Sequence, residues 1–441
     1  MAGSDHHPGG RDGAPLVFDE LRWVIQIRRS LQEDGGDDDD DNGIPVSVFN
    51  VPKQLQAHKP EAYVPQFIAL GPYHHWRPEL YEMERYKLAA ARRAQRHLRE
   101  GVKLEHLVEQ FARAERKVRA HYHRYLDFSG ETLAWMMVVD GAFLLEFLQI
   151  FAAAEAAAGG GGGKPELRRV SSRMAHLVDF AGRKSAHNLI LRDMLMLENQ
   201  IPLFLLRKLL EPQCSSAEEA GELLGRMVTG LMKELCPFKM MDNFPAIDVA
   251  KHAHLLELLY HLLFAPTNGD ATTVSFDAKT ATLHLPVVTL DGSTTEVVLR
   301  NLVAYEASAA TGPLVLARYT ELMNGIIDTG EDVAALRRRG VVLNRMKSDG
   351  EAARLWNGMS RSVRLTKVAA MDAAVEGVNR YHGARWRVKA RRFMRRYVFG
   401  SWQLLTFLAA VLMLLLTTLQ AFCSVYTCSR WFGAVAVAPP P

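Results

Sequence analysis

The residues best placed to do chemistry in this chain are carboxylates embedded in apolar runs. Asp140 lies in Val138-Val139-Asp140-Gly141-Ala142-Phe143, and Asp193 and Glu198 lie in Arg192-Asp193-Met194-Leu195-Met196-Leu197-Glu198-Asn199-Gln200-Ile201-Pro202. An unpaired carboxylate is costly in such surroundings. Two of them sharing one site would form a shifted acid–base pair, the equipment of a general acid–base enzyme. The alternative is structural: such groups cap neighbouring helices or pair with an internal cation, for which Arg192 and Arg207 are candidates. The structural reading is the stronger expectation. Pro202 points the same way. It removes a helix donor and clashes one turn back, and the polar triplet Glu198-Asn199-Gln200 can satisfy the backbone groups set free.

The other constellations are weaker. His74 and His75 follow Gly71-Pro72-Tyr73, but adjacent histidines point in different directions and rarely share a metal. His254, Glu257 and His261 fall on one helix face without forming His-Glu-x-x-His. The glycine run before Lys164 lacks the phosphate-loop spacing, since position 158 is Ala and 165 is Pro. No nucleophile elbow, zinc spacing, kinase set or dinucleotide fingerprint occurs. The expectation is a protein without catalytic chemistry, cofactor or metal; the competing one is a tethered enzyme with an unrecognised carboxylate site.

The elements that must position these residues are mostly helices. The chain has 441 residues, 48% hydrophobic and 23% charged, enough for a sizeable core. A net charge of +4 argues against nucleic acid as a partner. Residues 1–43 read as a polar, acidic segment with one short helix at 18–32. A proline-punctuated stretch follows at 44–76. Helices are expected at 79–99, 103–125 (Gly101 breaking the pair), 132–151, 165–182, 191–211, 216–236 and 250–264. Residues 152–164, alanines then glycines, read as a flexible loop. The runs 282–290 and 294–299 flank Asp291-Gly292 and predict a β-hairpin, with Pro286 placing its strand at an edge. Helices return from 312. Without a clean linker, 44–379 reads as one mainly helical domain carrying a small hairpin.

Positions 398–429 contain no charge and no histidine. A helix over 402–422 would span about 31 Å, the thickness of a hydrocarbon core. Trp402, Phe407, Leu412, Leu416 and Phe422 are its expected lipid-facing anchors, and Thr417 and Thr418 can bond their own helix. Helix 132–151 is similarly apolar but carries Asp140, Gly141 and Glu146, so it reads as a core helix. The basic segment 380–401, with Arg385, Arg387, Lys389, Arg391, Arg392, Arg395 and Arg396, precedes the span, and only Arg430 follows it. Positive residues stay cytosolic, so the large domain is expected in the cytosol, and the basic segment is expected to meet anionic lipid headgroups. There is no secretory leader pattern and no N-glycosylation sequon. The expected protein is single-pass and tail-anchored, with a short tail at 423–441, and its partners are the bilayer and other proteins. Cys423 and Cys428 at the far end could be free, acylated or paired.

Several blocks together carry a family resemblance. They are Val51-Pro52, Ala62-Tyr63-Val64-Pro65, Ile68-Ala69-Leu70-Gly71-Pro72-Tyr73-His74-His75, then Leu80, Met83, Glu84 and Lys87. Asp140-Gly141-Ala142-Phe143-Leu144-Leu145-Glu146 and Leu197-Glu198-Asn199-Gln200-Ile201-Pro202 follow. The last are His254-Leu255-Leu256-Glu257 and Arg300-Asn301-Leu302-Val303-Ala304-Tyr305-Glu306. In this order they resemble the plant domain-of-unknown-function 247 family from about 44 to 426. The resemblance implies a plant protein, a terminal membrane helix and no assigned catalysis. Some grass members are linked to self-incompatibility, which implies recognition or signalling at the plasma membrane. One departure stands out: 265–274 is short and polar where the family carries a Leu-x-x-Ala-Gly-Val/Ile-x-Phe pattern.

Overall fold

A computed structural model describes residues 45–158, 185–239, 247–264, 273–359, 366–385 and 402–425, with isolated positions between 20 and 28 and at Phe244. Most of the expected polar N-terminal stretch with its acidic insert, all of the expected helix at 165–182, residues 265–272 and most of the basic segment lie outside the described residues.

The core is built around one helix. α1 (Lys53–His58), α2 (Glu84–Gln95), α3 (Leu104–Arg113) and α4 (Glu115–Ala120) lead into α5 (Gly130–Ala158). α5 has apolar residues on every side, the pattern of a helix surrounded by protein or lipid. Here it is protein: α2, α3, α7 (Leu203–Leu210) and α8 (Ala217–Leu235) pack against it. Met137, Val138, Phe143, Phe147 and Leu148 are fully buried. Two glycines permit this crowding. A Cβ on Gly141 would stand 2.4 Å from Leu209 Cδ1 of α7, and one on Gly230 of α8 would stand 2.7 Å from the Phe151 carbonyl oxygen. Two ion pairs fix α2 along α5. Lys87 Nζ lies 2.7 Å from Asp140 Oδ1, and Arg93 grips both oxygens of Glu146 at 2.9–3.1 Å.

α5 also runs further than expected. The alanines at 152–158, read above as the start of a flexible loop, continue the helix to Ala158. Alanine is the best helix former, and the preceding helix spares it the cost of nucleation.

Beyond α5 come α6 (Ser185–Met194), α7, α8, α9 (Leu255–Phe264), α10 (Gly292–Ala309), α11 (Val315–Ile326), α12 (Gly330–Arg338), α13 (Asp349–Asn357) and α14 (Ala369–Ala384). The expected continuous helix 191–211 is two helices, α6 and α7, joined by the loop 195–202. The expected helix 103–125 divides at Ala114 into α3 and α4, and 250–264 narrows to α9 behind a short turn at Val249–Lys251.

The β structure departs most from expectation. Asp291-Gly292 does not turn a hairpin. Asp291 Oδ1 accepts the Thr295 N–H at 3.1 Å and caps α10. Asp-Gly serves either role locally. The outcome follows from 293–309, which as a helix buries Val297, Val298, Leu302 and Val303. The hairpin lies earlier: β1 (Ser275–Asp277) pairs antiparallel with β2 (Thr282–His284), turning through Ala281 at φ 56°. β3 (Val288–Leu290) pairs in parallel with β4 (Val342–Asn344), Val288 opposite Val342. Pro286 sits in the connection between β2 and β3, outside either strand.

The last described helix, α15 (Trp402–Val425), is long and apolar enough to cross a membrane. So is Gly130–Phe151 of α5, but 78% of that window is buried in the protein and none of the α15 window is. Phe407, Leu412, Leu416 and Phe422 all stand exposed. Thr417 Oγ1 and Thr418 Oγ1 donate at 2.9 Å to the Leu414 and Leu415 carbonyls, so their hydroxyls are satisfied within the helix.

Replacing Gly230 with alanine should push α8 off α5 and destabilise the domain by about 1–3 kcal/mol. Denaturant unfolding of the detergent-solubilised chain would read this as a lower midpoint with an unchanged slope.

Candidate functional site

The motif residues converge where two loops without regular structure cross beneath the helices. One loop is 64–76, and the other is 195–202 between α6 and α7. Neither can satisfy its own backbone, and buried amides and carbonyls must find partners. Side chains supply them.

Asp193, at the end of α6, is fully buried. Its Oδ2 accepts N–H groups from Gln66, Phe67 and Ile68 at 3.0, 2.7 and 3.0 Å, and its Oδ1 accepts from Arg192 Nη2 at 3.1 Å. Burial pushes its carboxyl above the ordinary range, opposed by the Ile68 amide, Arg192 and the Phe67 amide. Asn199 bridges both loops. Its Oδ1 accepts from Leu70 N at 2.7 Å, and its Nδ2 donates to the carbonyls of Ile68 (3.0 Å) and Asp193 (2.9 Å). Gln200 Nε2 donates to the Met194 and Met196 carbonyls at 2.8 Å each, and its Oε1 accepts from Leu256 N at 3.3 Å. Asn199 and Gln200 thus satisfy carbonyls that α6 leaves open where it stops. Pro202 marks the start of α7, where a missing N–H does no harm.

The remaining motif residues extend the same arrangement. Asn301 of α10 accepts from Leu197 N at 2.9 Å and donates to Ala62 and Val297 carbonyls at 2.8 Å. Glu306 caps α11, accepting from Leu316 N, Ala317 N and Tyr260 Oη at 2.8 Å each. Glu198 Oε1 accepts from Val51 N at 2.8 Å. His74 Nε2 lies 3.3 Å from Glu198 Oε2, but off the line of a hydrogen bond. Tyr73 Oη donates to the Val48 carbonyl at 3.1 Å and accepts from Arg124 N at 2.8 Å. Gly71 takes φ +71°, its N–H donates to Asp140 Oδ2 at 2.9 Å, and a Cβ there would meet the Gln200 carbonyl oxygen at 2.8 Å. Pro72 follows, buried.

Asp140, Asp193 and Glu198 therefore each hold a separate set of partners. Arg192 pairs with Asp193. Asp140 pairs with Lys87, a cation not among the arginines considered for it, and Arg207 lies instead 3.8 Å from Glu211. Burial raises the Asp140 carboxyl against the pull of Lys87. At Lys87 burial works against the charge, but the Asp140 and Glu84 carboxylates outweigh it and hold the ammonium above its ordinary range. Glu84 Oε1 stands 2.7 Å from the same Lys87 Nζ. Residues the motifs did not flag join in. Tyr122 Oη donates to the Gln200 carbonyl at 2.9 Å, and its aromatic type in a charged stretch was the one available signal.

The histidines are structural in a specific way. His254 Nε2 lies 2.9 Å from the Ser47 carbonyl oxygen, while its Nδ1 accepts the Glu257 N–H at 3.2 Å. Only the neutral Nε2–H form makes both bonds. His121 Nδ1 meets Ser47 Oγ at 3.1 Å, and burial, then the neighbouring His254, lowers its pKa to about 4. His261 faces His252, ring nitrogens 3.3 Å apart. Among the described residues no three His, Cys, Asp or Glu side chains are grouped to hold a metal.

A family model described as a plant protein of unknown function matches residues 48–274 and 264–416. The chain belongs to the plant domain-of-unknown-function 247 family. The two matched stretches overlap at 264–274. A putative UPF0481 protein of Arabidopsis thaliana is 37% identical, covering 95% of this chain and 97% of its own length. A second UPF0481 protein of the same plant is 23% identical over 89% of each. No solved structure matches the chain.

Replacing Asn199 with leucine strands the Leu70 N–H and the Ile68 carbonyl, takes one of two donors from the Asp193 carbonyl, and should cost about 3–5 kcal/mol. Gly71→Ala adds a strained φ to a backbone clash and should cost about 2–4 kcal/mol. Denaturant midpoints would measure both. For pH, a lowered histidine pKa contributes stability that is complete above the unfolded value of 6.5 and is lost as pH falls toward the folded value of about 4. Thermal stability should thus fall on acidification through this window, at up to about 1.4 kcal/mol per pH unit per buried histidine. His121→Gln should flatten that slope.

Proposed function

We propose that this chain is a membrane-anchored interaction protein whose helical domain sits on the cytosolic face of the plasma membrane and presents a surface to other proteins. The observation that carries this reading is the contrast between the two long apolar helices. α5 is covered by its own domain, whereas none of the apolar window of α15 is buried among the described residues. A fully apolar helix needs a cover, and the bilayer supplies one of matching thickness. The excess of Arg and Lys before α15 supports a cytosolic domain. The basic run beside the membrane is a surface for anionic headgroups.

An interaction role is favoured over a tethered enzyme because Asp140, Asp193 and Glu198 are already engaged by backbone amides and cations. A general acid or base needs a proton-accepting site open to substrate. These three hold the scaffold.

Two measurements test the reading. Deleting 402–425 should move the chain from the membrane pellet to the soluble fraction. Protease applied to sealed microsomes should digest the domain, and protease applied to intact protoplasts should spare it. Digestion in protoplasts would overturn the orientation, and persistent pelleting after deletion would overturn the anchor.

A further inference from the structure

A cavity of about 280 Å³ opens between α2 and α5, beside the end of the loop 64–76. Leu88, Trp135, Met136 and Val139 form its apolar wall, and His75, Glu84 and Asp140 its polar one. The charge there does not balance. Lys87 is the one ammonium between two carboxylates, 2.7 Å from each of Asp140 and Glu84. With Lys87 neutralising one of them, the trio keeps one net negative charge. Asp140 is buried, while Glu84 keeps 31% side-chain exposure and faces outward. His75 lines the inner wall, its Nδ1 closed off from solvent.

The rim is aromatic. Trp135 is 37% exposed, and Trp76, lying edge-on to His75 with ring centres 4.7 Å apart, is 62% exposed. Tyr81, whose hydroxyl donates to the Trp76 carbonyl, and Leu88 extend the apolar surface outward. A carboxylate and indole faces are groups that recognise a guanidinium. The apolar surround is larger than one side chain needs, and its Trp and Tyr are residues that concentrate binding energy at protein interfaces.

We propose that this cavity is a docking site for a basic side chain, an arginine flanked by apolar residues on a partner protein. Glu84 receives the guanidinium N–H groups, Trp135 covers its face, and Trp76, Tyr81 and Leu88 pack on the flanking residues. This rests on the reading of the chain as an interaction protein, but its test does not depend on orientation in the membrane.

The probe is the tripeptide amide acetyl-Leu-Arg-Leu-NH2, titrated into the detergent-solubilised full chain labelled with fluorotryptophan and followed by fluorine NMR. Trp135→Phe and Trp76→Phe assign the two lines. The expected result is a saturable shift of both lines, at least about ten-fold weaker for the citrulline analogue, which keeps the shape and loses the charge. Glu84→Gln should weaken binding to a similar degree, and an unchanged thermal melt would confirm that the variant is folded. If Glu84→Gln does not fold, the citrulline comparison on the unaltered chain decides alone. Equal shifts with both peptides, or none with either, would overturn the proposal. Its failure alongside successful anchoring and topology tests would remove this site and leave the interaction reading intact. Failure of those tests with arginine-selective shifts would do the reverse.

Discussion

Everything in this domain depends on satisfying the backbone of two buried loops. Loops normally run over a surface because their amides and carbonyls need water. Here the buried parts of 64–76 and 195–202 cross inside the protein, where an unmade hydrogen bond costs about 1–3 kcal/mol. Asp193, Asn199, Gln200 and Asn301 replace the water, each bonding two or more backbone groups. Removing any one of them strands several groups together, so the network holds cooperatively.

The packing of α5 follows from that crossing. Asp140 reaches from α5 to the Gly71 amide and to Lys87, so it ties the central helix, α2 and the loop at one point. A buried ion pair adds little net stability over a well-packed apolar pair, but it fixes which surfaces meet. Arg93 and Glu146 repeat the tie further along the same pair of helices. The glycines at 141 and 230 then let α7 and α8 approach closely. Glu84, bound to the same Lys87, is the outer member of this group, which is how a scaffold ion pair comes to line an open cavity.

Sequence reasoning reached the helices, the polar character of the motif residues and the apolar C-terminal helix from local pattern alone. It went astray where one local signal fits two structures. Asp291-Gly292 suits a hairpin or a helix N-cap, and burial of Val297, Val298 and Leu302 chose the cap. Ala152–Ala158 suits a loop or a helix, and the helix already running through Phe151 chose the helix. Around Pro202 the expectation of a single broken helix was too continuous: α6 ends at Met194, and Asn199 and Gln200 bond its last carbonyls from within a full loop.

What the sequence determined by itself is the periodic and the compositional: which stretches are helical, that a charge-free run of membrane length exists, and to which family the chain belongs. These are properties of neighbours along the chain. What only the tertiary structure decided is which distant groups meet. No spacing announces that Lys87 belongs to Asp140, that three consecutive amides at 66–68 converge on Asp193, or that β3 pairs with a strand some fifty residues away. Nor does composition separate the two apolar helices completely. α5 is covered by protein and α15 is not, because only folding brings α2, α3, α7 and α8 around the first.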